Sequence, residues 1–173
     1  MRTRKGILPD AQSVCDLIAL YSHDGTLLPR NLGEICENVR DFVVAEHERK
    51  IIGCGALHLY GPHLAEVRSI AVHPSAKGHG TGRLLVKALL REATRHRVTG
   101  VCLFTRIPDF FARMGFQATT RESLPDKIYK DCLSCPRLHA CDEVAMVRGQ
   151  LPRYSFVRDS AFLSLLQIRN DHV

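Results

Sequence analysis

The sequence predicts an α/β fold: a central sheet flanked by helices, with a cysteine-bearing insert before the last core strand. Three observations carry this. Two apolar runs at 42–46 and 51–60 are joined by a polar turn, His47 to Lys50, and pass through Gly61 and Pro62 into a third run at 64–72. A loop with glycines at 78, 80 and 82 follows and opens at once into an amphipathic helix. After that helix, GVCLFT at 100–105 is a short apolar run of buried-strand length.

The remaining elements follow in chain order. Residues 10–21 carry Val14, Leu17, Ile18 and Tyr21 at i, i+3, i+4, i+7, the spacing of an amphipathic helix. SHDGTLLPR then forms a loop ending at Arg30. Asn31 followed by Glu34 reads as a capping box opening a short helix through Val39. In the helix after the glycine loop, Leu84, Leu85, Ala88 and Leu89 form the apolar stripe, opposite Arg83, Lys87, Arg91 and Arg95. Pro108 starts and Gly115 ends a short helix holding Phe110, Phe111 and Met114. Strands at 116–120 and 143–148 flank the insert, 123–142. The expected organisation is one domain, 1–148, and a tail, 149–173, in which Phe162, Leu165 and Leu166 suggest a packing helix.

Composition narrows the class. With 45% hydrophobic and 24% charged residues the chain has the balance of a soluble globular protein. No apolar run reaches membrane-spanning length, and MRTRKGILPD lacks the apolar core of a signal peptide. Seven scattered cysteines, an odd number, argue against a secreted disulfide framework, so the cytoplasm is the expected compartment and no membrane partner is expected. A net charge of +6 suits a polyanionic small molecule as well as nucleic acid, and alone selects neither.

The glycine loop is the chemical centre. Free N–H groups at a helix start, the helix dipole and the close approach that glycine permits make a phosphate cradle. It is not a P-loop, because Arg83 follows Gly82 where GK[ST] is required, nor a dinucleotide fingerprint, because Leu85 stands at the third glycine. A solvent-exposed glycine turn is the alternative. Lys77, Gly80 and Gly82, after a strand ending Val72-His73-Pro74, resemble the acetyl-CoA loop of the GNAT acetyltransferase superfamily, and the order ββ-β-loop-α-β-α-β resembles its core. The resemblance implies the GNAT fold with a mixed, twisted sheet. It also implies acetyl-CoA as cofactor, held along Ile70, Ala71 and Val72 and by Lys77, Gly78, His79, Gly80, Thr81, Gly82 and Arg83.

Several stretches are similar to one branch, the acetyltransferase domain of N-acetylglutamate synthases: LLPRNLGEICENVRDFVV, GCGALH, AEVRSIAVHP, FTRIPDFFARMGF and LPDKIYKDC. The amino-acid-kinase-like domain of many such synthases is not in this sequence, so the expectation is a short, stand-alone form outside the arginine feedback that acts through that domain. The resemblance implies acetyl transfer to the α-amine of glutamate, a small-molecule acceptor, in arginine biosynthesis. An amine must lose a proton before it attacks, and Glu66, inside an apolar strand with the parity of Arg68 and Ile70, is the candidate base. A Glu66–Arg68 ion pair is the structural alternative. The Val72 backbone N–H is the oxyanion donor the resemblance implies. Phe111 stands where many GNAT enzymes carry a tyrosine acid, and phenylalanine has no proton to give. Arginine forks suit the two carboxylates of glutamate, and Arg30, Arg68, Arg106 and Lys127 match the basic positions. Another amino acid, a small amine or a protein N-terminus is the alternative acceptor; an acetyl-CoA sensor without activity is a further reading.

The insert carries Cys132, Cys135 and Cys141, with His139 between them. CxxC spacing suits structural zinc with His139, Asp131 or Asp142 as fourth ligand; an iron–sulfur cluster, a thiol–disulfide pair and free thiols are the other readings. A zinc knuckle binding RNA is disfavoured, because Tyr129 is the insert's one aromatic ring for stacking bases. Cys15, Cys36, Cys54 and Cys102 read as small core residues. The tail could cap the core or pair with a second subunit in a homodimer.

Overall fold

A computed structural model describes residues 1–151, so the tail helix expected around Phe162, Leu165 and Leu166 lies outside the described residues. The strands are β1 (Arg2–Lys5), β2 (Phe42–His47), β3 (Lys50–Gly61), β4 (Leu64–Val72), β5 (Gly100–Thr105), β6 (Gln117–Ala118) and β7 (Val144–Gly149). The helices are α1 (Ala11–Ser22), α2 (Leu32–Glu37), α3 (Thr81–Arg95), α4 (Pro108–Ala112) and α5 (Pro125–Lys127), the last running into a π-helical turn, Ile128–Cys132. They build one seven-stranded mixed sheet, β1-β2-β3-β4-β5-β7-β6, antiparallel at every pair except β4 and β5. Among the described residues no helix is long and apolar enough to cross a membrane.

Alternation along the strands separates two cores. Val43, Leu57 and Val67 face α3, where Leu85, Val86 and Leu89 meet them. Phe42, Val44, Cys54, Ala56 and Ala71 face Val14, Leu17 and Ile18 of α1 and Ile35 of α2. Further along that second face Leu64, Cys102 and Ala145 pack against Leu124, so the insert is anchored by its own buried apolar residues, Leu124 and Ile128. The α3 stripe differs from expectation: Leu84 and Ala88 are half-buried, and Val86 and Ala93 are buried instead.

Local signals account for most boundaries. Asn31 and Glu34 form the expected capping box, but α2 stops at Glu37 and a 3-10 turn, Val39–Asp41, leads into β2. Glu48 and Arg49, at φ of 48° and 62°, make the two-residue hairpin turn, whose left-handed backbone conformation suits the right-handed twist of the flanking strands. The strand expected at 116–120 shrinks to Gln117–Ala118, because Phe116 turns inward onto Phe111 after the left-handed Gly115. β1 was not foreseeable from periodicity. Its four residues, RTRK, are all polar, and it pairs with β2 as a charged edge, tied by Arg4 to Asp10 and Glu46.

Two irregularities of β4 create the site. Ala56 pairs with Arg68 and Cys54 with Ala71, so the single Gly55 faces both Ser69 and Ile70. This is a bulge, with Ser69 at φ 54°. It corrects the expected parity: Glu66 and Arg68 face the α1 side, but Ile70 is turned to the α3 side. In addition, β4 and β5 pair only at Ala65–Val101 and Glu66–Cys102. Beyond that point the two strands diverge and leave a cleft through the sheet.

Candidate active site

The cleft opens into a cavity of about 500 Å³ on the α3 side, lined by Ile70 and Val72 of β4, the glycine loop and Phe110 and Phe111 of α4. Gly78 and Gly80 both sit at φ 79° with open space where a Cβ would stand, so the backbone conformation, not crowding, demands glycine there. Gly82 has no such conformation. Gly80 caps α3, whose first-turn N–H groups lack partners within the helix and open toward the cavity. The buried Thr81 fastens the loop by donating to Ala76 O at 3.0 Å. Lys77 Nζ lies 4.7 Å above the Tyr21 ring, and Lys77 and Arg83 both line the cavity. Of the expected cofactor residues, Ala71 and His79 do not line it: Ala71 is buried under α1, and the His79 ring sits against Lys77 O. Residues, dipole and glycine backbone fit a pyrophosphate-bearing cofactor such as coenzyme A.

The Val72 peptide sits at the mouth of the divergence. His73 N–H donates to Ile52 O on β3, so strand alternation turns Val72 toward the cleft. Its carbonyl, on the same edge as its N–H, accepts from the Tyr21 hydroxyl. Phe111 is buried between Phe110 and Phe116 and brings no hydroxyl to the cleft.

A second cavity, about 140 Å³, lies on the α1 side and shares Arg68, Ser69 and Phe104 with the first. Glu66 forms its floor, 3% exposed. Its Oε1 accepts from Lys127 Nζ at 2.8 Å and its Oε2 from the Tyr60 hydroxyl at 2.8 Å, while Arg68 Nη1 stands 3.9 Å away. Asp131 closes the ring, 2.9 Å from Lys127 Nζ and 3.0 Å from Tyr60 Oη. Burial pulls the Lys127 ammonium down, but Glu66 and Asp131 outweigh it and hold its pKa above the ordinary value. Burial likewise opposes ionisation of Asp131, yet Lys127, Tyr60 and Arg68 bring its pKa below the usual carboxylate range. Burial, then Glu66 and Asp131, raise the Tyr60 phenol far up, so it stays protonated.

Arg30 enters the same cavity from the loop before α2. Its Nε donates to Ser69 Oγ at 3.1 Å, and among the described residues no carboxylate lies within ion-pair distance. Burial first, then Arg68, lower its pKa from the ordinary value. Arg106, by contrast, is already engaged. Its Nε lies 2.8 Å from both Asp142 oxygens, and Nη1 donates to Gly25 O and Thr26 O at 3.1 Å. Arg137 also donates to Gly25 O, so the loop before α2 is latched to the insert.

Cys132, Cys135 and Cys141 all face the smaller cavity as half-buried free thiols. The structural-zinc expectation is corrected: among the described residues no three His, Cys, Asp or Glu side chains come together in a way that could hold a metal ion. The reasons are local. His139 is exposed, and Asp131 and Asp142 are held by Lys127 and Arg106. The residues present do not fit zinc.

Sequence reasoning passed over Tyr60, Ser69 and, except as a metal ligand, Asp131. The i, i+4 spacing of Lys127 and Asp131 was the available signal for the last. Ser69 had none, because only the bulge brings it between the cavities.

A mixed sheet split beside a glycine-capped helix, with a buried acid beneath the split, is the arrangement that the resemblance to acetyl-CoA-dependent transferases implies. Residues 38–118 match the family Acetyltransferase (GNAT) domain. An uncharacterised N-acetyltransferase of Chlorobaculum tepidum is 39% identical over 145 residues, 84% of this chain and 94% of its own. The amino-acid acetyltransferase of Mycobacterium tuberculosis is 38% identical over 116 residues, 65% of this chain and 66% of its own. The N-acetylglutamate synthase of Neisseria gonorrhoeae, solved with coenzyme A and N-acetyl-glutamate, superposes with a TM-score of 0.77 at 25% identity, over 87% of this chain and 35% of that one. The chain belongs to the GNAT family of acetyltransferases. It is an acetyl-CoA-dependent N-acetyltransferase, and it spans about a third of the gonococcal synthase.

Proposed function

We propose that this chain transfers the acetyl group of acetyl-CoA to the α-amine of glutamate. The observation that carries the reading is the smaller cavity: a buried carboxylate, Glu66, faces an arginine, Arg30, that has no acidic partner there. Four cations (Arg30, Arg68, Arg121 and Lys127) and three carboxylates (Glu66, Asp131 and Glu143) line this cavity. The excess of one positive charge complements glutamate, whose net charge is −1. The M. tuberculosis relative and the gonococcal synthase support the same acceptor class.

The chemistry divides along the sheet. Lys77, Arg83 and the α3 N-terminus would hold the phosphates of acetyl-CoA on the α3 side, and the bound cofactor would supply the activated acyl group. Glu66, with lone pairs left beyond those given to Lys127 and Tyr60, takes the proton of the amine approaching from the α1 side. The Val72 N–H stabilises the negative charge that develops on the carbonyl oxygen. Arg30, Arg68 and the third N–H of Lys127 hold the carboxylates. Arg106 acts from behind, positioning the loop that carries Arg30. The thiolate leaves without a protein acid at position 111, and a thiol's acidity makes that workable.

Free-thiol release from acetyl-CoA, measured across a panel of α-amino acids, small amines and peptides, tests this. Turnover is expected with glutamate above all others. A better acceptor without a second carboxylate would overturn the reading.

A further inference from the structure

A base buried on the sheet must discharge its proton before the next turnover. Glu66 cannot do so directly: its side chain is 4% exposed, and bound acceptor covers its open side. Behind it, one hydroxyl touches two carboxylates. Tyr60 Oη is 2.8 Å from Glu66 Oε2 and 3.0 Å from Asp131 Oδ2, although it has a single proton to give. Asp131 also lines the smaller cavity and keeps 31% of its side chain exposed, against 4% for Glu66.

We infer that Tyr60 and Asp131 form a proton exit that carries the proton from Glu66 to solvent. This rests on Glu66 being the base of the proposed reaction. In the step, the protonated Glu66 carboxyl gives its Oε2 proton to Tyr60 Oη as the Tyr60 O–H proton passes to Asp131 Oδ2. One O–H bond breaks and one forms at the phenol, which stays neutral throughout, and one proton has moved from Glu66 to Asp131. Asp131 then releases it to water.

The neighbouring groups fit this route and disfavour the parallel one. Lys127 also bridges the two carboxylates, but their combined pull keeps its ammonium fully protonated, so it holds the ring in place and does not conduct. The same ammonium and Arg68, 3.6 Å away, keep Asp131 ionised, ready to receive a proton and quick to lose it. The other groups facing the ring include His58, stacked edge-on against Tyr60 at 4.9 Å, Lys130, whose Nζ lies 5.9 Å over the Tyr60 ring, and the Cys102 thiol, which burial and Glu66 keep neutral. His63 and Asp126 pair with each other at 3.1 Å, beside β4. Tyr60 and Asp131 touch no substrate in this scheme; they are positioning residues acting through Glu66.

The test uses the whole chain with acetyl-CoA and L-glutamate. Tyr60→Phe keeps the ring and removes the hydroxyl; Asp131→Asn keeps the shape and removes the acceptor. Each is expected to lower kcat about tenfold or more, with KM for acetyl-CoA within about twofold of wild type. Formate, a small carboxylate, is expected to restore kcat in Asp131→Asn relative to wild type, which a structural defect would not allow. Wild-type kcat in Tyr60→Phe, or a loss in Asp131→Asn that formate leaves unchanged, overturns the exit. If Tyr60→Phe fails to fold, the formate response of Asp131→Asn decides. Glu66→Gln separates the two ideas: near-wild-type turnover there defeats the base assignment, whereas its loss beside intact Tyr60→Phe and Asp131→Asn defeats the exit alone.

Discussion

Arg30 is the residue whose environment most clearly anticipates a ligand. It gives up hydration, lies near the like charge of Arg68, and among the described residues its side chain hydrogen-bonds to a serine hydroxyl, with Glu34, Glu66 and Asp131 acting on it from beyond ion-pair distance. Hydrogen bonds between charged partners contribute about 1.5–3 kcal/mol, so Arg30→Leu should raise KM for glutamate about tenfold to a hundredfold. KM for acetyl-CoA should not change, and steady-state kinetics with each substrate varied checks both. Asp10 illustrates a structural charge. The hydrogen bonds from Arg4 hold its carboxyl below the usual range, aided by the Ile7 N–H. A depressed folded-state pKa contributes stability above the unfolded value of about 3.9 and loses it as pH falls through the folded value. Urea midpoints of wild type should therefore fall on acidification below about pH 4, and Asp10→Asn should show a shallower fall from a lower starting point.

At the level of elements, the glycine loop and α3 are positioned by conformation and burial. Gly80→Ala places a Cβ in left-handed backbone at a cost of about 1–2 kcal/mol and disturbs the cap that presents the α3 N–H groups. KM for acetyl-CoA should rise while KM for glutamate stays put. Leu85→Ala, beneath the sheet, removes a fully buried side chain and should cost about 2–5 kcal/mol by chemical denaturation. The same elements mark what the sequence could disclose. α1, the β2–β3 hairpin, the β4–loop–α3 unit and β5 were legible because apolar periodicity, turn residues and a capping pair agreed locally. β1 was not, since an all-polar edge strand has no pattern to read. Strict alternation put Ile70 with Glu66, and the bulge at Ser69 undid it, because nothing about a serine announces a left-handed backbone.

For the molecule as a whole, the divergence of β4 and β5 is the organising event. It joins a cofactor cavity on one face to an acceptor cavity on the other, and the bulged Ser69 stands at the passage between them. Distant segments close the acceptor side. The loop before α2 brings Arg30, and the insert brings Lys127, Asp131 and three thiols. CxxC spacing drew the sequence reading toward zinc, yet the insert is held by Leu124 and Ile128, and its chemistry lies in the charged ring with Glu66. Such convergence across 100 residues is set by topology and is invisible to local pattern.

The most direct measurement is identification of the product by NMR when the protein is mixed with acetyl-CoA and L-glutamate, for wild type and Glu66→Gln together. The account predicts an acetyl group on the α-nitrogen of glutamate, formed about 10²- to 10⁴-fold more slowly by the variant. No acetylated glutamate from wild type, or equal rates from both proteins, would contradict it.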